Sequence, residues 1–380
     1  MLTKISLDNF KCFRKLDLPV STLTLLTGYN AAGKSTSLQG LLLPAQGVRQ
    51  RRWKHALYAN GPLIELGTSG ELLREGADVP KMLIGLQDSK AATIEWALSP
   101  SDDGIGRLES KTTYQFGSAE AIPVTELGDD ASEFVRFLRQ LMYISADRRL
   151  QQDFHLAPET RAPRSAPDVG VRGEYAAWHL YKYGDDVDVS PERFADDESS
   201  PILRKQLNAW ASYLFGFVEF NARRPTMSKQ VWLELRTSET SAWRRSANLG
   251  FGLSYAFPVL LAGLLARKGQ AIVVDSPEAH LHPMAQSRMG YFLACMSNAG
   301  VQIITETHSD HVINGVRLAV KAKKASPDQI GVHFFSSRTS SSGIDNEVIT
   351  PVMGEDGSLS HWPNGFFDQA EQDLSRLAGW

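Results

Sequence analysis

Cysteine is nearly absent. Cys12 and Cys295 are the only two, which gives neither a disulfide framework nor a thiolate metal set and fits a reducing cytoplasm. Long apolar runs are missing as well. None approaches the ~20 residues of a bilayer-crossing helix, and the longest, around 256–266, is interrupted by Pro258. The opening MLTKISLDNFKCF has no apolar core of a secretory leader. The chain is therefore expected to be cytoplasmic, neither secreted nor membrane-spanning. Charge of one sign is not in excess: 40 Lys and Arg stand against 43 Asp and Glu, a net −3. That removes a global electrostatic drive toward nucleic acid or anionic lipid and leaves only a local patch open. Heptads, internal repeats and low-complexity tails are absent too. What remains is 380 residues, 42% hydrophobic and 22% charged, enough to bury one large core or two lobes sharing one.

Within this ordinary composition, Gly28-Tyr29-Asn30-Ala31-Ala32-Gly33-Lys34-Ser35-Thr36 fits the phosphate-binding pattern G-x-x-x-x-G-K-[ST]. Its context agrees: Thr22 to Thr27 reads as a buried strand and Gly33 to Leu43 as a helix. Glycines let the backbone curl so that successive N–H groups face a phosphate, and the helix start adds its dipole. The expected cradle is Asn30, Ala31, Ala32, Gly33, Lys34, Ser35 and Thr36. Lys34 reaches the β- and γ-phosphates, and the Ser35 hydroxyl ligates Mg²⁺. ATP with Mg²⁺ is the expected cofactor.

The fold class expected is α/β. Residues 1–146 hold the P-loop and a β-rich lobe, with short strand-like runs at Pro62–Leu66, Met82–Leu86, Thr93–Leu98, Thr112–Phe116 and Ile122–Leu127. Residues 147–245 read as a mostly helical insertion, and 246–380 as a C-terminal lobe alternating helix and strand. The three form one composite domain with a parallel sheet. In the last part, Ala271–Asp275 (AIVVD) is a hydrophobic strand ending in a carboxylate, the Walker B pattern. Asp275 is placed to reach the Mg²⁺ beside Ser35. About 30 residues on, the strand Val301–Thr305 is followed by Glu306-Thr307-His308, where His308 is placed to contact a γ-phosphate or an attacking water. A zinc reading of His280, His282, His308 and His311 is weaker, because i, i+2 spacing on a turn suits a shared metal poorly. Arginine doublets at 51–52, 148–149, 223–224 and 244–245 either line a DNA groove or sit in solvated or intramolecular pairs.

These motifs together, GYNAAGKST, AIVVDSPEAHLHP and QIITETHSDHVING, resemble the ATPase heads of the RecF, SMC and OLD proteins, ABC-type P-loop ATPases in which two heads sandwich two ATP molecules. The opening KISLDNFKCFRKLDL is similar to that group's N-terminus. The resemblance implies that Lys11 lies near the nucleotide base. It also implies that 247–255 is the signature segment, with Gly250, Gly252 and Ser254 capping the γ-phosphate held by a second subunit. The close at 361–369 resembles a bacterial branch often associated with anti-phage defence. The implied function is ATP hydrolysis that drives head-to-head dimer closure and controls a separate effector, a nuclease or toxin. Alternatives are a DNA-repair-type ATPase that clamps DNA and a non-hydrolysing, ATP-locked scaffold. One departure stands out. Many such heads carry glutamate directly after the Walker B aspartate; here Ser276 follows, and Glu278 is the nearest candidate to orient water.

Overall fold

The computed structural model describes all residues except 102–105, 127–131, 149–154, 157–165, 226–229, 247–249, 341–342, 364–368 and 379–380. The first three signature positions, Arg149 and the aromatic pair Phe366 and Phe367 therefore lie outside the described residues. The chain divides into two compact units. One comprises Leu2–Val135 and Pro327–Trp380, the other Arg136–Ser326 with Met1.

The first unit is built on an antiparallel sheet in the order Phe13–Pro19, Leu2–Phe10, Met82–Asp88, Ala92–Pro100, Arg107–Phe116, Ala56–Tyr58, with Ile122–Pro123 paired to Arg107–Phe116. Its strands alternate as a half-buried sheet requires: Ile5 and Leu7 face inward, Ser6 and Asp8 outward. Trp53 and Trp96 meet edge to face at 6.4 Å in its core. In the same unit the Leu23–Gly28 strand pairs in parallel with Ile330–Ser340, which pairs antiparallel with Gly343–Ile349.

Two expectations shift here. Pro62–Leu66 is not a strand, because side chains take the N–H groups a ladder would use. Gln46 Oε1 accepts from Leu63 and Ile64, and Asn60 Oδ1 accepts from Leu66. The P-loop helix also does not stop before Pro44 but runs Lys34–Arg49. A proline inside a helix costs about 3 kcal/mol. Burial of the unbroken run from Gly40 to Val48 offsets that cost.

The second unit carries three parallel strands, Met142–Ile144, Ala271–Asp275 and Gln302–Glu306, in that order. Hydrophobic on both faces, they are packed against helices Phe251–Leu265 and Pro283–Asn298, and helix Asp310–Lys321 packs on the second of these. The 147–245 stretch holds helices Ala176–Tyr183 and Leu203–Phe215 and also an antiparallel sheet of His155–Leu156, Gln230–Arg236, Glu219–Arg223 and Arg244–Arg245. Leu203, Leu207, Trp210, Ala211 and Leu214 form the buried stripe of the second helix.

Candidate nucleotide site

The first unit presents the phosphate loop. Gly28 (φ 119°), Ala31 (φ 61°) and Gly33 (φ 105°) are left-handed, the backbone state that gathers N–H groups on one side of a loop. Glycine is required at both ends. A Cβ on Gly28 would lie 2.1 Å from the Phe335 carbonyl oxygen, and one on Gly33 would lie 2.2 Å from the Phe13 ring. Helix Lys34–Arg49 starts at Gly33 with no side-chain cap and no acidic residue in its first turn, so nothing there competes with an anion. Lys34 is buried to 3% exposure. Its ammonium donates to the carbonyls of Gly28 at 3.0 Å and Tyr29 at 2.7 Å. Asn30, Ala31 and Ser35 are exposed, Thr36 is half-buried and Ala32 is buried. The tip of the Leu2–Phe10 and Phe13–Pro19 hairpin packs on this helix. Lys11 Nζ donates to Gln39 Oε1 at 2.8 Å, and Cys12 Sγ donates to Thr36 Oγ1 at 3.6 Å. Burial lowers the pKa of Lys11 and raises that of Cys12. Curled backbone, uncapped helix start and buried lysine fit a triphosphate.

The second unit presents the carboxylates. Asp275 ends its strand beside Glu306 in parallel register. Burial first, and the neighbouring Glu306 carboxylate second, push the Asp275 carboxyl above its ordinary value. The Ser276 hydroxyl donates to Asp275 Oδ1 at 3.0 Å, and Ser276 is left-handed (φ 49°). The oxygen donors Asp275 and Ser35 are of the class that suits Mg²⁺, each within its own unit. Glu278 is held firmly: Oε2 accepts from Thr307 Oγ1 at 2.8 Å and Oε1 from the His308 N–H at 2.7 Å. Its carboxylate thus fixes the loop on which His308 sits. His308 is half-exposed, and its Nε2 lies 3.7 Å from Glu306 Oε1. His282 accepts from the Met284 N–H and caps the following helix.

Gly250 is the N-cap of helix Phe251–Leu265. Gly252 lies against the His280 carbonyl, 2.9 Å from where a Cβ would stand. Ser254 is buried to 3% exposure, and its hydroxyl has no hydrogen-bond partner among the described residues. Sequence reasoning did not single out Glu306, Thr307 or Arg148 as site residues. Glu306 carried a signal, since QIITE ends a buried strand in a carboxylate as AIVVD does. Arg148 was visible only as half of a doublet, yet it is buried and bonded to main-chain carbonyls. Other doublet members are also engaged within the protein: Arg223 pairs with Glu234, Arg245 lies over Trp232 and Arg52 over Tyr58.

Comparison with known proteins places this geometry. The model of a family described as "AAA domain, putative AbiEii toxin, Type IV TA system" matches residues 23–314, a span that includes both the phosphate loop and the carboxylates. The chain belongs to this AAA family. Residues 326–377 of the AAA chain match a second family, described as a protein of unknown function (DUF3696). No curated protein matches. Among solved structures, an Smc head domain with an extended coiled coil, bound to the C-terminal domain of ScpA derived from Pyrococcus furiosus, is 13% identical. It covers 99% of each chain with a TM-score of 0.51. An SmcHead bound to the C-winged helix domain of ScpA is also 13% identical, covering 92% of this chain and 97% of that one at a TM-score of 0.50. At this identity the likeness is one of fold. The AAA chain has the mixed α/β, SMC-head-like fold of a P-loop ATPase domain, with an antiparallel lobe and parallel core strands. Among the described residues no helix is long and apolar enough to cross a membrane.

Proposed function

We propose that this AAA protein binds ATP with Mg²⁺, hydrolyses it slowly, and uses ATP to close a head-to-head dimer that controls a separate effector in a bacterial defence system. The observation that carries the nucleotide reading is the phosphate loop, curled through three left-handed residues onto an uncapped helix start with Lys34 buried across it. In this reading Lys34 exchanges the Gly28 and Tyr29 carbonyls for β- and γ-phosphate oxygens. Ser35 and Asp275 hold Mg²⁺, which when bound neutralises charge on the phosphates. His308, on a loop fixed by Glu278, is the candidate γ-phosphate contact. Ser254, a buried hydroxyl without a partner among the described residues, with Gly250 and Gly252 at the same helix start, is the candidate cap on the nucleotide of a second subunit. The family description, a type IV toxin–antitoxin context, supports the defence role. The Smc head solved with a ScpA domain supports a protein partner for heads of this fold.

Slow turnover is expected because no carboxylate follows Asp275 and both Glu278 oxygens already accept hydrogen bonds. The same observation favours a second reading, an ATP-locked scaffold that does not hydrolyse. Phosphate release separates the two, and light scattering with a non-hydrolysable ATP analogue tests the dimer. A chain that stays monomeric with the analogue bound refutes closure, and one that binds no ATP refutes the whole reading.

A further inference from the structure

Arg148 has no role in the reading above, yet it is among the most deeply buried charges of the second unit, at 2% exposure. It follows the Met142–Ile144 strand, and its described hydrogen bonds all go to main-chain carbonyls. Nε donates to Ser145 at 2.9 Å, Nη1 to Tyr255 at 3.2 Å, and Nη2 to Ser276 at 2.7 Å and to Asp275. Burial lowers its pKa to about 10, so it stays charged at neutral pH. Burying a cation is unfavourable for stability, and the nearby Asp275 and Glu278 carboxylates offset that cost only in part. What the guanidinium adds is a planar fork that reaches several carbonyls at once.

Those carbonyls belong to separate pieces of chain. Tyr255 is in the first turns of the helix that starts after Gly250, while Asp275 and Ser276 form the turn that ends the carboxylate strand. The two pieces touch elsewhere as well. The Arg148 guanidinium lies over the Tyr255 ring, 5.6 Å from its centroid, and the same ring meets the His280 ring edge to face at 4.4 Å. Gly252 packs on the His280 carbonyl without room for a Cβ. Ser276, whose carbonyl Arg148 holds, sits in a left-handed conformation that a non-glycine residue adopts only when its surroundings enforce it.

We infer that Arg148 is a positioning residue that ties the helix start at Gly250–Tyr255 to the Asp275–Ser276 turn, so that the carboxylate is correctly placed only while that helix start is docked. The turnover consequence rests on the ATPase reading above; the tether itself does not. Placement of the helix start, the element assigned to the second subunit's nucleotide, is thereby coupled to the geometry of the chain's own carboxylate.

The test uses Arg148→Met, which keeps the apolar stem, and Arg148→Lys, which keeps the charge but not the fork. Hydrogen exchange without nucleotide reads the tether directly. Amides in 251–256 and 276–281 lose protection together in the Met variant and less in the Lys variant. In turnover, kcat falls about tenfold or more for Met with partial recovery for Lys, while ATP affinity by calorimetry stays within about twofold, because the phosphate loop is untouched. Unchanged protection in both segments overturns the inference, as does a kcat equal to that of the parent protein, or an affinity that falls in step with kcat. If the parent protein binds ATP without turnover, the hydrolysis reading fails and exchange alone decides the tether. If the Met variant does not fold, the Lys variant carries the same measurements, with exchange and kcat equal to the parent's again overturning it.

Discussion

Lys34 offers the most direct perturbation. It is 3% exposed, and its ammonium bonds to the Gly28 and Tyr29 carbonyls. Lys34→Ala removes these bonds and also removes a buried cation. A hydrogen bond to a charged group contributes about 1.5–3 kcal/mol, while desolvating the ammonium opposes it by a comparable amount. The two nearly cancel in the free protein, so its unfolding free energy should change by only about 1 kcal/mol. The bound state is different. There the ammonium faces phosphate oxygens, and nothing in the variant replaces it. Loss of one charged contact of about 1.5–3 kcal/mol, at about 1.4 kcal/mol per factor of ten, predicts a roughly 10- to 150-fold weaker Kd for ATP with Mg²⁺. Calorimetric titration gives the affinity and a thermal melt gives the stability. A variant that melts like the parent protein and binds ATP equally well refutes the phosphate-loop assignment. One that fails to fold refutes the claim that the bonds to the loop carbonyls and the burial cost cancel.

Three further outcomes follow from the same geometry. Glu278→Gln retains ATP binding and loses about tenfold or more in kcat, because an amide cannot accept at both positions that now hold Thr307 and His308; parental phosphate release in a steady-state assay removes Glu278 from the mechanism. Ser254→Ala, which deletes a buried hydroxyl with no described partner, leaves monomer stability unchanged or up to about 1 kcal/mol higher but abolishes analogue-induced dimerisation in light scattering. A variant that dimerises as the parent protein does rules out a nucleotide contact for Ser254. His333 is buried, with Nδ1 at 2.8 Å from Thr350 Oγ1 and Nε2 at 2.9 Å from the Pro19 carbonyl, and burial lowers its pKa from 6.5 to about 4. The folded state holds it neutral while the unfolded chain takes up a proton. Its contribution is therefore intact above pH 6.5 and is lost as pH falls toward 4, about 2 kcal/mol between pH 7 and 5. Urea unfolding at the two pH values should show that difference shrinking by about this amount in His333→Gln, and an identical difference in variant and parent contradicts it.

The local parts of the site were legible in the sequence because their chemistry is encoded in consecutive residues. A buried strand, two glycines at fixed spacing and a lysine define the phosphate loop from 28 to 36. Glycine tolerates the left-handed backbone found at 28 and 33 without steric cost, a freedom legible before any packing is known. AIVVD could likewise be read as a strand ending in a carboxylate, since five residues of one pattern suffice. The β-rich character of the first lobe followed from short β-like runs at Met82–Leu86 and Thr93–Leu98 bounded by turn residues, and these lie within strands Met82–Asp88 and Ala92–Pro100. Tertiary structure decided what depended on partners distant in the chain. The Pro62–Leu66 run has the composition of a strand, but Gln46, on a helix well before it, takes its N–H groups. The first helix passes through Pro44 because the residues around it are buried, a gain no local propensity contains. Glu278 looked like a free carboxylate three residues beyond Asp275; only the return of the chain at Thr307 and His308 occupies its oxygens. Arg148 looked like surface charge, and it becomes a buried tether because Tyr255 and Ser276, more than a hundred residues later, bring their carbonyls to it. Hydrogen-bond acceptors on the backbone are the same at every position and leave no mark in the sequence, so a side chain that binds them can be recognised only once the fold has placed them.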